Sequence, residues 1–316
     1  MRLIFMGTPE FAVPSLAALA AGHEICAVVT RPDRPRRRMR ASPEPSPVKR
    51  EAGRRGLAIL QPESIRDAAF ADQARALAPE VIVVVAFGAI LPPALLAIPP
   101  LGCVNLHASL LPRLRGAAPI ARSIIEGEER TGVTTMRMDE GLDTGPILMQ
   151  EELAIGALET AGELTARLAA AGAPLLLTTL GRLRAGTLVP AAQDASRATL
   201  APPLGKPDGR IDWDLPADSI ARRIRGCNPW PTASARLRGA TVQLLRAGTA
   251  AGTAPGGAPG EIVALDGERI LVCCGAGSIL AIMELRFAGR RTITAREAVN
   301  GRLVEAGESF APAATA

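Results

Sequence analysis

Over the first half of the chain, short uninterrupted apolar runs alternate with longer segments of helical spacing. Residues 2–6 (RLIFM) form a run that ends at Gly7, residues 14–21 have the spacing of a helix, and residues 24–30 form a second run, which predicts a βαβ opening. The pattern then repeats. Helical spacing over 65–77 precedes the run VIVVVA at 81–86, which has no polar position and predicts a strand covered on both faces; residues 102–106 predict another. Residues 133–138 and 147–153 predict two further strands, and the Ala/Leu-rich stretch 161–183 predicts a long helix. The fold class is therefore α/β, with an open, twisted, mostly parallel sheet carrying helices on both faces, in a first domain spanning 1–185.

The pattern changes after that. Residues 186–207 mix Pro, Ser, Ala and Thr without periodicity and predict a linker. An amphipathic helix at 217–225 is followed by short runs at 233–237, 241–246, 261–265, 270–274 and 278–285, separated by Gly-rich turns. Many short strands at such spacing predict a small β-barrel domain over 208–316. The low-complexity stretch AAGTAPGGAPG at 250–260 predicts a loop, and no internal repeat is present.

A hydrophobic content of 48% with 21% charged residues fits a soluble globular chain of 316 residues. Its formal net charge of +5 suits a polyanionic partner without identifying one. Only Lys49 and Lys206 are lysines, so arginine supplies almost all of the positive charge. Cys26, Cys103, Cys227, Cys273 and Cys274 form no CxxC pair and the only histidines are His23 and His107, which argues against a zinc centre. Scattered thiols in odd number point to a reducing compartment, the cytoplasm. The N-terminus lacks the long apolar core of a signal peptide, and no membrane span is expected.

Gly7 turns the chain after the first run, but no G-x-G-x-x-G follows, which argues against a dinucleotide cofactor. The informative stretch is GCVNLHASLLPRLRGAAPI at 102–120. Asn105 and His107 stand two residues apart at the end of a predicted buried strand, so their side chains share one face. Asp143, in the glycine-flanked loop MDEGLDTGPI at 138–147, is placed to reach back to the imidazole. An amide, an imidazole and a carboxylate supply an oxyanion donor, a proton shuttle and an orienting anion.

These residues sit inside a series of motifs in fixed order: MGTPEFAVPSL at the N-terminus, PDRP at 32–35, SPVK at 46–49, QPESIRD at 61–67, VVAFGAILP at 84–92, VNLHASLLPRLRGAAPI at 104–120, MDEGLDTGPIL at 138–148, DGRIDW at 208–213 and NPWP at 228–231. In them the chain resembles the methionyl-tRNA formyltransferases, from its first residues to about Leu285. The resemblance implies a Rossmann-like N-terminal domain that binds 10-formyltetrahydrofolate, with Asn105, His107 and Asp143 on the catalytic positions, and a C-terminal OB-like barrel that holds initiator methionyl-tRNA. It places Ser109, Leu110, Leu111 and Pro112 on the folate-contacting loop, with Phe87, Gly88, Ile90, Leu91, Met138, Asp139, Glu140, Gly141 and Leu142 walling the pterin crevice. No metal is required.

The segment RPDRPRRRMR at 31–40 holds six arginines and one aspartate. The resemblance makes it the insertion that engages the tRNA acceptor arm, through Arg34, Arg36, Arg37, Arg38 and Arg40, with Arg222, Arg223, Arg225, Arg236 and Arg238 of the second domain adding to a phosphate-facing surface. The chain departs from the family pattern in two places: Arg36–Arg38 and Met39 stand where Gly and Lys are common, and Leu114 stands where Trp is common. A single chain carries the whole expected site, which suggests a monomer. The alternatives are a folate-dependent formyltransferase or hydrolase acting on a small acceptor, and a noncatalytic RNA-binding protein. The Arg-rich segment and second domain weigh against the former, and the Asn–His–Asp set against the latter.

Overall fold

A computed structural model describes residues 1–33, 44–254 and 256–313. The chain forms two compact units. The first takes Met1–Pro119, Thr131–Leu153 and Thr165–Ala201; the second takes Ile120–Arg130, Ala154–Leu164 and the chain from Pro202 onward. No shift in composition marks the two short segments that join the second unit.

The strands of the first unit are β1 (Arg2–Gly7), β2 (Glu24–Val29), β3 (Ile59–Leu60), β4 (Val81–Val85), β5 (Cys103–His107), β6 (Arg115–Gly116), β7 (Arg130–Arg137), β8 (Ile147–Ala154) and β9 (Leu200–Ala201). Seven of them assemble in the order β3-β2-β1-β4-β5-β7-β8, and β6 and β9 form a separate parallel pair. From β3 to β5 the strands run parallel, and β7 runs antiparallel to β5. All five residues of β4 and five of the six in β1 are buried, as runs without polar positions require.

Helices α1 (Val13–Gly22), α2 (Pro47–Arg54), α3 (Ala68–Ala76) and α4 (Pro93–Leu96) accompany these strands, α5 (Pro119–Ile125) falls in the second unit from Ile120 onward, and α6 (Ala161–Arg184) returns to the first unit from Thr165. Ile4, Met6, Ile82, Val84 and Cys103 share one core with Phe70, Ala71 and Ala74 of α3 and Leu95 of α4. The spacing over 65–77 puts the start of α3 too early. Asp67 is extended and its carbonyl accepts the amides of Phe70 and Ala71, so the helix begins at Ala68. On the other face of the sheet α6 approaches Leu106 so closely that a Cβ on Gly172 would meet Leu106 Cδ2 at 2.6 Å. By length and composition α6 could cross a membrane, yet Leu168, Leu176 and Leu180 are fully buried and Thr179 pairs with Thr135 of β7 at 2.8 Å, the signature of a core helix.

The second unit contains α7 (Ala217–Gly226), β10 (Ala233–Leu237), β11 (Ala240–Thr253), β12 (Ile262–Leu265), β13 (Ile270–Cys273), β14 (Ser278–Phe287), β15 (Ile293–Thr294), α8 (Ala295–Asn300) and β16 (Ala311–Pro312). The antiparallel order is β12-β13-β14-β11-β10-β16, with β15 on β14. The sheet curls until its edges meet: Ile262 N–H donates to Glu308 O at 2.7 Å and Phe310 N–H to Gly260 O at 2.8 Å. This is the expected small barrel. Ile220 and Ile224 of α7 fill it together with Val242, Leu244, Leu280 and Ile282, and Trp213 of the DGRIDW motif stacks on Phe310 at 5.6 Å. The loop predicted at 250–260 is shorter than its composition implies, because Ala250 and Thr253 pair with Ile279 and Ser278 inside β11.

The first turn of α6 carries a reciprocal cap: Thr160 N–H donates to Glu163 Oε2 at 2.9 Å and Glu163 N–H to Thr160 Oγ1 at 3.3 Å. Glu163 Oε1 also accepts from Arg246 Nη2 at 2.5 Å. The Arg246 guanidinium, followed by the Thr160 amide, holds the Glu163 carboxyl down to about 2 from an ordinary 4.5. A lowered acid stabilises the fold above its unfolded value and loses that contribution as pH falls toward its folded value. The side chain is 48% exposed, and solvent screening limits the effect to about 1 kcal/mol.

In urea unfolding, Glu163→Gln should cost about 1 kcal/mol at pH 6, with most of the difference gone by about pH 2; an equal cost at both values would reject the ion-pair account. Within α6, Gly172→Ala should lower the melting temperature, because overpacking Leu106 costs about 1–3 kcal/mol against about 1 kcal/mol gained in helix propensity. Gly181→Ala meets no atom within 4 Å and should raise it.

Candidate active site

Strand β5 holds the first two expected residues on one face. His107 is its last residue, whereas Asn105 lies at its centre, in register with Val84 of β4 and Met136 of β7. Both are buried, 8% exposed at Asn105 and 6% at His107. The Asn105 amide has no hydrogen-bond partner among the described residues, so its donors are available to a ligand. Cys103, third on that face, is no nucleophile, since burial pushes its thiol up to about 12.

His107 reaches two acceptors. Its Nε2 lies 2.9 Å from the Leu114 carbonyl, which can only accept, so Nε2 carries the hydrogen. Nδ1 faces Asp143 Oδ2 at 3.6 Å, beyond hydrogen-bond distance and close enough for the carboxylate to stabilise the imidazole once it is protonated. The same carboxylate oxygen accepts the Gly116 N–H at 2.8 Å. Asp143 itself sits at φ +53°, in the left-handed region. Leu114, where the family pattern suggests a stacking residue, is 3% exposed and serves through its backbone carbonyl.

The expected folate residues separate into two groups. Ser109 Oγ donates to Arg113 O at 2.6 Å within the loop, and the Leu111 carbonyl accepts from Gln150 Nε2 of β8 at 3.0 Å, which ties the loop to the sheet. Leu111 and Pro112 are buried and Leu110 half-buried. Phe87 and Leu91, at 4% and 1% exposure, are closed into the sheet core, with Met138 packed against that cluster. The apolar side chains of this set that are open to solvent are Ile90 and Leu142, 50% and 47% exposed. Gly88 accepts the Arg31 guanidinium on its carbonyl at φ +79°. Asp139 Oδ1 folds its own loop, accepting from Gly141 N–H at 3.1 Å and Thr144 Oγ1 at 2.7 Å, while Glu140 is exposed.

Sequence reasoning missed the residues that tie these loops together. Residues 191–201, inside the predicted linker, are bonded along their length: Ala191 pairs with Ile147, Gln193 reaches Arg115, Asp143 and Gly145, and Thr199 holds Leu114 and Arg115. A segment whose carbonyls accept loop amides and whose Gln193 side chain donates to loop carbonyls has no periodicity to read. Thr134 was equally silent; its hydroxyl donates to Ser109 O at 2.6 Å and accepts from Leu111 N–H at 3.2 Å.

Three of the motifs meet in space. Asp33 pairs with Lys49 and accepts from Gln61 Nε2 at 2.9 Å, and Thr30 and Ser46 join their hydroxyls at 2.9 Å. Lys49, then Gln61, hold the Asp33 carboxyl below its ordinary range. Arg34, Arg36, Arg37, Arg38 and Arg40 lie outside the described residues. The expected phosphate-facing arginines of the second unit are engaged internally: Arg222 pairs with Asp218 at 2.9 Å, Arg223 and Arg225 donate to the carbonyls of Asp208 and Glu159, Arg236 to that of Gly239, and Arg238 pairs with Glu308. Arg225, only 9% exposed, faces no solvent-borne phosphate.

A formyl transferase family model matches residues 1–180, and the model of the formyl transferase C-terminal domain matches 203–303. The methionyl-tRNA formyltransferase of Heliobacterium modesticaldum is 47% identical over 98% of this chain and 100% of its own length, and that of Stenotrophomonas maltophilia is 49% identical over 96% and 98%. Among solved structures, an N-formyltransferase from Helicobacter canadensis, in complex with folinic acid and dTDP-3-aminofucose, superposes with a TM-score of 0.67 at 17% identity, covering 89% of this chain and 98% of that one, which shows a shared fold. Full-length identity near one half, two consecutive family matches and the preserved order of motifs lead to one assignment: the chain belongs to the formyltransferases, and within them to the methionyl-tRNA formyltransferase family.

Proposed function

We propose that the chain transfers the formyl group of 10-formyltetrahydrofolate to the α-amino group of methionine on initiator methionyl-tRNA, with catalysis in the first unit and tRNA holding in the second. The observation that carries this reading is the buried Asn105 amide, unpaired among the described residues and two positions from His107 on the same strand face. When the methionyl amine adds to the formyl carbon, the carbonyl oxygen gains negative charge, and a preorganised amide N–H stabilises it more than it stabilises the ground state. The attacking nitrogen must shed a proton and the departing folate nitrogen must gain one. His107 suits that transfer, since Nε2 is engaged by Leu114 and Nδ1 is the nitrogen left to accept. Asp143, 3.6 Å from Nδ1, stabilises the charge that develops there.

Supports for the finer points differ in kind. The Helicobacter canadensis neighbour is described with folinic acid and a HypX neighbour from Aquifex aeolicus with tetrahydrofolic acid, which favours a folate donor. Ser109, Leu110, Leu111 and Pro112, with Ile90 and Leu142, remain our candidates for the folate wall. A tRNA substrate and five free cysteines favour the cytoplasm, and a site built wholly from one chain favours a monomer. The +5 of residues 31–40 equals the net charge of the whole chain, so the remaining sequence balances to zero. Attraction for a polyanion is thus concentrated in that segment, and we assign Arg34, Arg36, Arg37, Arg38 and Arg40 to the acceptor arm.

Labelled formyl should pass to charged initiator tRNA and not to uncharged tRNA. Asn105→Ala should lower kcat roughly 100- to 1,000-fold and His107→Ala roughly 100- to 10,000-fold, with smaller changes in KM. Release of formate without tRNA, or transfer to a small amine in preference, would replace this reading with that of a hydrolase or small-acceptor enzyme. Replacing Arg36, Arg37 and Arg38 together by Gln should flatten the slope of log affinity for tRNA against log salt by roughly 2 to 3; an unchanged slope would move the phosphate contacts elsewhere.

A further inference from the structure

We propose that Gln193 is a positioning residue for formyl transfer, setting the distance between Asp143 and His107 by tying the carboxylate loop to the loop that supplies the imidazole's other acceptor. The proposal rests on the role given above to Asp143. All four hydrogen-bonding positions of the Gln193 carboxamide are used. Nε2 donates to the carbonyls of Asp143 and Gly145 at 2.8 and 2.7 Å, and Oε1 accepts from Arg115 Nη2 at 2.7 Å and Nε at 3.1 Å. One amide thus joins two loops that are distant in sequence.

Two residues of this segment act on opposite sides of His107, Thr199 on the Leu114 side and Gln193 on the Asp143 side. Leu114 N–H donates to Thr199 Oγ1 at 2.9 Å and Arg115 N–H to Thr199 O at 2.8 Å, which fixes the planar peptides around the Leu114 carbonyl that faces Nε2. On the opposite side, Gly116 N–H holds Asp143 Oδ2 while Gln193 holds the Asp143 backbone, closing a ring of contacts through Arg115. Asp143 adopts φ +53°, a conformation that a residue bearing a Cβ avoids unless its surroundings impose it. Gln193 donates to the carbonyl on this very residue and to the one two positions on, bracketing the strained turn. Without these two donors the loop can relax, and the carboxylate moves away from Nδ1.

The test uses the full chain and two substitutions. Gln193→Met keeps length and removes every polar contact; Gln193→Glu keeps the acceptor for Arg115 but removes both donors. Each should lower kcat roughly 10- to 100-fold, in line with the cost of a small misplacement, while KM for methionyl-tRNA and for the folate donor stays near the wild-type value. The deciding readout is the same pair of changes in an Asp143→Ala background, where the Gln193 effect should vanish, since a residue acting only through Asp143 has nothing left to position. An unchanged kcat in both variants, or a loss that multiplies undiminished with Asp143→Ala, overturns the proposal. If Gln193→Met does not fold, Gln193→Glu carries the comparison. Wild-type kcat in Asp143→Ala alone would instead remove the role of Asp143, and the proposal with it.

Discussion

Everything at the centre of the first unit depends on the register of one five-residue strand. β5 is hydrogen-bonded to β4 in parallel and to β7 in antiparallel, so neither neighbour can slip without moving the other. A shift by one residue would turn Asn105 and His107 to the face that packs on α6, and bring Leu106 to theirs. The contact between Gly172 and Leu106 opposes that shift sterically, which links packing on one face of the sheet to chemistry on the other.

The site has few charges and many backbone contacts. His107 is oriented by a carbonyl, Asp143 by an amide and a carboxamide, and the Ser109–Pro112 loop by the hydroxyl of Thr134 and the amide of Gln150. Neutral donors and acceptors of this kind hold geometry without placing a competing charge beside the imidazole. Close ion pairs are found at other residues: Asp33 with Lys49 in the first unit, and Glu163 with Arg246 in the second.

Much of this was legible in the sequence, for identifiable reasons. Strands without polar positions, such as 81–85, and the two-residue spacing of Asn105 and His107 are direct readouts of a period of two. Asp143 could be singled out because it stands between Gly141 and Gly145. Gln193 and Thr199 could not, since each acts on backbone atoms from an aperiodic segment, and only the fold brings those atoms together. Phe87 and Leu91 show a second kind of blindness. An apolar residue near a ligand crevice and an apolar residue in the adjoining core have the same side chain, and burial alone distinguishes them. In the second unit the composition of 250–253 suggested a loop, but pairing with β14 prevailed over it.

The meeting of the barrel's two edges has a bearing on how the protein behaves in a crowded solution. A curled sheet with unpaired outer strands offers a row of free amides and carbonyls onto which another chain can add. Here the stretch around Glu308 and Phe310 occupies that row along β12, and β16 occupies the one along β10. These late residues therefore close both edges to the addition of another strand, while the Phe310 ring stacks on Trp213.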